Sequence, residues 1–237
     1  MGNLAFHLDD HTGARAHLAS ATAYGTRAGD ARLTAWSLGA QSMVARAENR
    51  YETALAYAEQ AVAHAPAGLP RSQAHAWAQM TSLAGLGREH EADAALASAA
   101  RELEADPAGS APGRFGFDAA EYTLHRAESA IVLGRHDRAR TAAEASIADT
   151  SPATPGWAAA TLVLAQAEAS GQPGDAAQRA LDVLDRVPAA RLRSTSRARL
   201  ARLDADLADT PATSAEDLHE RVRSLAPLID NHGNAST

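Results

Sequence analysis

At 237 residues the chain has room for one large domain or two small ones. A net charge of −7 argues against the all-over basic footprint of a nucleic-acid binder, and the lack of cysteine excludes disulfides, thiolate metal sites and a cysteine nucleophile. No apolar run reaches the roughly 20 residues of a membrane helix and the N-terminus carries no secretory pattern, so the sequence reads as soluble and cytoplasmic, with no membrane partner.

Hydrophobic residues make up 46% but aromatics only 4%, and alanine dominates. Such an interior must be built by close approach of small side chains, which favours stacked helices over a sheet. No alternating β-branched run or hairpin signal appears.

Taken in chain order, the elements repeat one pattern: a residue tolerant of left-handed backbone, then Ala five positions later. A first helix, Gly2 to Leu8, stops at Asp9, and the next buries Ala14, Leu18 and Ala21. Asp30 caps a helix that passes Trp36 and stops at Asn49, before Ala54, Ala58 and Ala61. Pro70 suits a first helical turn; Gly87 follows, then Ala92, Leu96 and Ala99. After the Pro-, Gly- and Ser-rich stretch Ala105 to Gly116, Asp118 with Glu121 forms a capping box, Gly134 ends that helix, and Ala139, Ala143 and Ser146 follow. Pro155 opens the next helix, Gly171 ends it, and Ala176, Ala180 and Val183 form the fifth stripe. Each stripe runs i, i+4, i+7, one helical face. Ala189 to Asp209 reads as one further helix and Ser214 to Leu228 as another, with Thr213 and Glu216 placed for a capping box.

The expected fold is therefore all-α: about five antiparallel helix pairs in a right-handed superhelical solenoid. Repeats one to three span 1–104, a rim loop or hinge 105–116, and repeats four and five 117–187. Polar capping helices follow at 188–229, and a disordered tail at 230–237.

The turns Leu86-Gly87-Arg88-Glu89-His90-Glu91-Ala92 and Leu133-Gly134-Arg135-His136-Asp137-Arg138-Ala139 resemble the consensus turn of a tetratricopeptide repeat, and Tyr51 occupies its aromatic place. The period, roughly 40 residues, exceeds the usual 34. HEAT-like repeats share the period but not this turn. With Ala35-Trp36-Ser37-Leu38-Gly39-Ala40-Gln41-Ser42-Met43 as its most family-like helix, residues 1–228 resemble the repeat half of actinobacterial helix-turn-helix transcriptional regulators. That resemblance implies an array sensing a peptide or another partner. It also implies a DNA-binding part ahead of the repeats, which this chain lacks, and a first helix beginning before Met1.

In that superhelix the first helix of each pair lines the concave surface. The register places Asn3, Phe6 and His7 there, then Trp36, Met43 and Arg46 from repeat two and Trp77 and Thr81 from repeat three. Repeat four adds Glu121, Leu124, His125, Glu128 and Ile131, and repeat five Thr161, Leu162 and Glu168. Two Trp, a Met, an Arg and carboxylates can bury an apolar group while pairing a charged end, so a peptide, a partner segment or a small molecule is the expected occupant. The lining does not match the clamp that captures chaperone C-termini. Each residue also has a plainer reading: the Trp rings packed between helices, Glu121 spent on capping, Arg46 a solvated charge.

Glu121, His125 and Glu128 share one helical stripe. An imidazole beside carboxylates could perform acid/base work, which makes His125 and Glu128 the residues of an alternative reading as a helical-repeat enzyme of secondary metabolism acting on a hydrophobic substrate. Charged stripes are normally solvated, so the leading reading is a non-enzymatic binding module in a regulatory role, without catalytic residues, cofactor or metal. His7 and His11 stand at i, i+4, but Asp9 separates them, so they do not form a zinc pair. Arg191, Arg193, Arg197, Arg199 and Arg202 form a dense basic run, read as pairing with Asp204, Asp206 or nearby acids rather than with nucleic acid. Self-association through exposed ends, giving a homodimer, is a third option.

Overall fold

The computed structural model describes residues 1–106 and 117–225, and these are all-α, with no strand among them. The sequence-expected tail at 230–237 and nearly all of the 105–116 loop lie outside the described residues. In order come α1 (Gly2–His7), α2 (His11–Ala28), α3 (Ala31–Ala47) and α4 (Tyr51–His64). A continuous helical stretch follows as α5 (Leu69–Gln73), a π-helical segment (Ala74–Met80) and α6 (Thr81–Gly85). The remainder is α7 (Glu89–Ala105), α8 (Ala119–Val132), α9 (His136–Ala148), α10 (Pro155–Glu168) and α11 (Pro173–Arg186), then α12 (Ser194–Asp206) and α13 (Thr213–Arg223). No described helix is long and apolar enough to cross a membrane.

Left-handed residues reverse the chain at four of the five expected stops: Asp9 (φ 68°), Asn49 (φ 57°), Gly87 (φ 69°) and Gly134 (φ 69°). At each, the amide after the stop reaches back five residues: Asp10 to Ala5, Arg50 to Ala45, Arg88 to Leu83 and Arg135 to Ala130, all within 3.0 Å. This satisfies a carbonyl that the helix end would leave orphaned. Gly171 corrects the fifth expectation, because its φ is not left-handed. There the Gly171 and Gln172 amides both bond the Glu168 carbonyl, at 3.0 and 2.8 Å, and residues 169–172 carry the chain across without a left-handed step.

Behind the turns, Ala14, Ala54, Ala92, Ala139 and Ala176 are all buried, as are Leu18, Ala58, Ala143 and Ala180 one turn on. Leu96 and Ala21 are partly buried. With so little side chain on these stripes, helix axes can approach closely, and the two helices flanking each left-handed turn pack on one another.

The C-terminal part departs from the expected cap. Pro188 (φ −52°, ψ 137°) and Arg193 (φ −64°, ψ 155°) hold extended backbone, so the single helix expected over Ala189 to Asp209 is split into a 3₁₀ turn and α12. The helix expected over Ser214 to Leu228 runs Thr213–Arg223; its N-cap is Ala212, with no side-chain capping bond, which removes the Thr213 and Glu216 box. Leu200, Leu203 and Leu218 are fully buried and join a core cluster with α10 and α11, so these helices carry an apolar face as well as a polar one. α12 also returns to the start of the chain, where the Ser194 hydroxyl donates to the Phe6 carbonyl at 3.1 Å.

Gly87, Gly134 and Gly171 all have open space where a Cβ would stand, so substitution probes backbone conformation alone. Gly87→Ala and Gly134→Ala are expected to lower unfolding free energy in urea by about 1 kcal/mol each, and Gly171→Ala to leave it unchanged or raise it slightly. An equal loss at all three would contradict the assignment of the turns.

Candidate functional site

A cavity of about 530 Å³ lies where the two ends of the chain meet. Asn3, Phe6 and His7 come from α1, Trp36, Met43 and Arg46 from α3, Gln73 from α5 and Trp77 from the π segment. α8 supplies Glu121, Leu124, His125 and Glu128, α10 supplies Gly156 and Ala159, and the start of α12 supplies Arg193, Thr195 and Arg199. Of the nine residues named from sequence as ligand-binding, eight line this cavity. Thr81 instead faces an adjoining recess of about 410 Å³ that shares Arg46, Glu128 and Arg199 with the cavity and also takes in Ile131.

Local sequence explains how the apolar part is positioned. Asp30 caps α3 by accepting the Leu33 amide at 2.9 Å, which sets the phase of the helix carrying Trp36, Met43 and Arg46. Trp77 sits in the π segment, whose extra residue per turn shifts the helix face; nothing in Ala74-His75-Ala76-Trp77-Ala78-Gln79-Met80 announces it. The Trp36 and Trp77 rings stand 6.5 Å apart at 32°, both half-buried. Trp77 can lie there because position 39 carries no side chain: a Cβ on Gly39 would come within 2.9 Å of the Trp77 ring.

Glu128 organises the polar part. One carboxylate oxygen accepts from the Arg199 guanidinium of α12 and the other pairs with His125 Nδ1 at 2.9 Å. Burial alone would raise Glu128, but Arg199, His125 and Arg46 outweigh it and hold the carboxyl down at about 2. The other ring nitrogen of His125 lies 3.6 Å from Glu121, and its ring stacks on buried Phe117 with centroids 6.4 Å apart. Burial raises Glu121, opposed by His125. The Glu121 amide is capped by Asp118 at 2.9 Å, leaving the Glu121 carboxylate to the cavity side.

This arrangement is poorly suited to acid/base turnover. Both imidazole nitrogens of His125 are engaged by carboxylates, and a carboxylate held near 2 is a weak base at neutral pH. His7 faces the cavity, and burial with Arg193 nearby lowers its pKa to about 4, so it is neutral at pH 7. His11 turns instead toward Asp9 and Glu48, at 3.4 and 3.9 Å. No group of three or more His, Asp or Glu residues among those described converges to hold a metal ion.

Repeat five requires a correction. Thr161, Leu162 and Glu168, read as groove-facing, are all buried away from the cavity, and Glu168 pairs with Arg179 of α11. α10 turns Gly156 and Ala159 to the cavity and Val163 and Gln166 to the recess. Counting back from Gly171 failed because the α10–α11 connection has four residues, 169–172, where the left-handed turns have three. In the basic run, Arg202 pairs with Asp206 at 4.0 Å and Arg197 donates to the Ala189 carbonyl at 2.8 Å; Arg193 and Arg199, assigned to local pairing, line the cavity, because the break at Arg193 swings α12 inward.

Another hollow, of about 430 Å³, lies between α7, α8 and α9 and is lined by Met80, Leu96, Leu133 and Arg135 among others. Arg135 there is already paired with Glu89 and Asp93, at 2.8 and 2.6 Å. Convergent polar groups beside aromatic surface single out the first cavity as the candidate site. Comparison of the chain with protein-family models, with curated proteins and with solved structures returns no match.

Gly39→Ala should drive Trp77 into the cavity, costing about 1–3 kcal/mol as overpacking and shifting tryptophan emission; an unchanged spectrum at unchanged stability would show that the two helices are not in that contact. Because Glu128 sits well below the ordinary 4.5, its stabilisation is fully present above pH 4.5 and is lost as pH falls toward 2. Glu128→Gln should therefore be less stable than wild type by about 3 kcal/mol at pH 7, with the gap closing as the pH of urea titrations drops from 5 to 3. A gap that stays constant over that range argues against the pairing of Glu128 with Arg199 and His125.

Proposed function

We propose that this chain is a tetratricopeptide-like helical solenoid acting as a non-enzymatic binding module, with the cavity between α3, α8 and α12 as its ligand site. The observation that carries the reading is convergence: Trp36, Trp77, Arg46 and Arg193, from distant parts of the sequence, line one hollow of about 530 Å³. Support for the solenoid comes from the four left-handed turns and the buried alanine stripes behind them.

The hollow has the volume of sites that hold drug-sized molecules. α12 crosses beside it, tied to α1 through Ser194 and to α8 through Arg199. An extended peptide running the length of the concave face would meet α12 in its path, so a small molecule, or the end of a peptide, is the better fit. The regulatory role implied by the resemblance then assigns the array to sensing: ligand binding is read out through α12. The enzymatic alternative loses ground, because His125 and Glu128 are already committed to one another and to Arg199.

N-phenyl-1-naphthylamine, a neutral apolar fluorophore small enough for the cavity, tests the site. It should bind with one-to-one stoichiometry and quench tryptophan emission. Trp77→Ala should weaken it about tenfold, about 1.4 kcal/mol, while far-UV circular dichroism stays unchanged. Undiminished affinity in Trp77→Ala would remove the cavity as the site.

A further inference from the structure

The cavity's charges do not cancel, and the imbalance indicates what it holds. Its lining carries three arginines, Arg46, Arg193 and Arg199, against two glutamates, Glu121 and Glu128. Glu128 is spent on Arg199 and His125, one oxygen each. Glu121 lies 3.6 Å from His125. Arg46 is left over: among the described residues its guanidinium makes no hydrogen bond and no ion pair within 4 Å, and its Nε is sealed from solvent without an acceptor.

Arg46 nevertheless stays charged. Burial lowers it only to about 10, against the opposing pull of Glu128. A half-buried cation with no bound anion carries a desolvation cost, which proteins usually relieve by pairing. Arg193, also without an ion pair among the described residues, lines the cavity near His7 and Glu121. The same lining holds the rings of Trp36 and Trp77 with Met43 and Leu124, an apolar surface. Asn3 and His7, at the α1 side, each keep one sealed polar atom, Oδ1 and Nδ1, without a partner among the described residues.

We propose that the ligand is a small amphipathic anion, an aromatic or similarly flat apolar body bearing one carboxylate, with Arg46 as the counter-ion of that carboxylate and Trp36 and Trp77 as the platform for its body. Guanidinium is suited to this, since its fork can hold a carboxylate bidentately. The inference rests on the cavity being a ligand site and narrows the class of ligand it takes.

The test uses three probes with one aromatic body: 2-naphthylacetate, 2-naphthylacetamide and 2-(2-naphthyl)ethylamine, titrated by calorimetry into the full chain at low salt. The acetate should bind at least tenfold tighter than the amide, and the amine weakest of the three. Arg46→Gln should bring the acetate down to the amide's affinity while leaving the amide within twofold of wild type. Equal affinity for acetate and amide in wild type, or a preference for the amine, overturns the inference whether or not the variant folds. So does an equal loss of acetate and amide in Arg46→Gln, which would make Arg46 a structural residue. If none of the three binds, the anion assignment falls, while the cavity itself stands or falls on the N-phenyl-1-naphthylamine titration.

Discussion

Glu128 is a half-buried carboxylate with both oxygens engaged, and the candidate site is arranged around that fact. Arg199 crosses from α12 to reach it, which fixes a C-terminal helix against α8, 71 residues away in sequence. His125 reaches it from one turn before on the same helix, which fixes the imidazole against Phe117. Having satisfied these two groups, Glu128 leaves Arg46 within its field but outside pairing distance. A single half-buried charge thus ties α12 to α8, orients His125 and leaves Arg46 beside it unpaired among the described residues. Breaking such a pairing by removing one partner costs more than the pair contributes, because the remaining charges stay half-buried.

The scaffold that brings these groups together is made of small side chains. Alanine at each stripe start lets helices approach closely, and position 39, with no side chain at all, admits Trp77 against α3. Close approach keeps the helical layer thin. Large residues then collect where α1, α3, α8 and α12 meet, Trp36 and Trp77 lining the hollow together with the arginines of α3 and α12. Rigidity of the walls follows from this packing, and a binding site benefits from walls that need little ordering on association.

Much of this was legible in the sequence, for identifiable reasons. All-α class followed from alanine content and helical periodicity, and the turns at Asp9, Asn49, Gly87 and Gly134 from residues that tolerate left-handed backbone. The faces of α3 and α8 could be counted back from those turns because the geometry from the last helical turn to the stop is the same each time. Gly171 broke the count: glycine permits a left-handed step without requiring one, and the four-residue connection turned α10 so that Thr161, Leu162 and Glu168 went into the interior. The π segment around Trp77 left no mark in sequence, since π geometry depends on tertiary packing more than on composition. The inward course of α12 was hidden too. Pro188 signalled a break, but the partner of Arg199 stands on another helix, beyond the reach of any local pattern.

Function then becomes a question of what the uncompensated charge is for. If the hollow merely separates helices, Arg46 is a cost to the fold that Glu128 relieves only in part. If the hollow is a ligand site, that cost is relieved when a ligand brings a carboxylate. A crystal structure of the protein with 2-naphthylacetate distinguishes the two most directly. The naphthalene ring is expected against Trp36 and Trp77, with its carboxylate on the Arg46 guanidinium. Finding the molecule in the hollow beside Met80 and Leu133, or finding it among the tryptophans with its carboxylate directed away from Arg46, would contradict the role assigned to that charge.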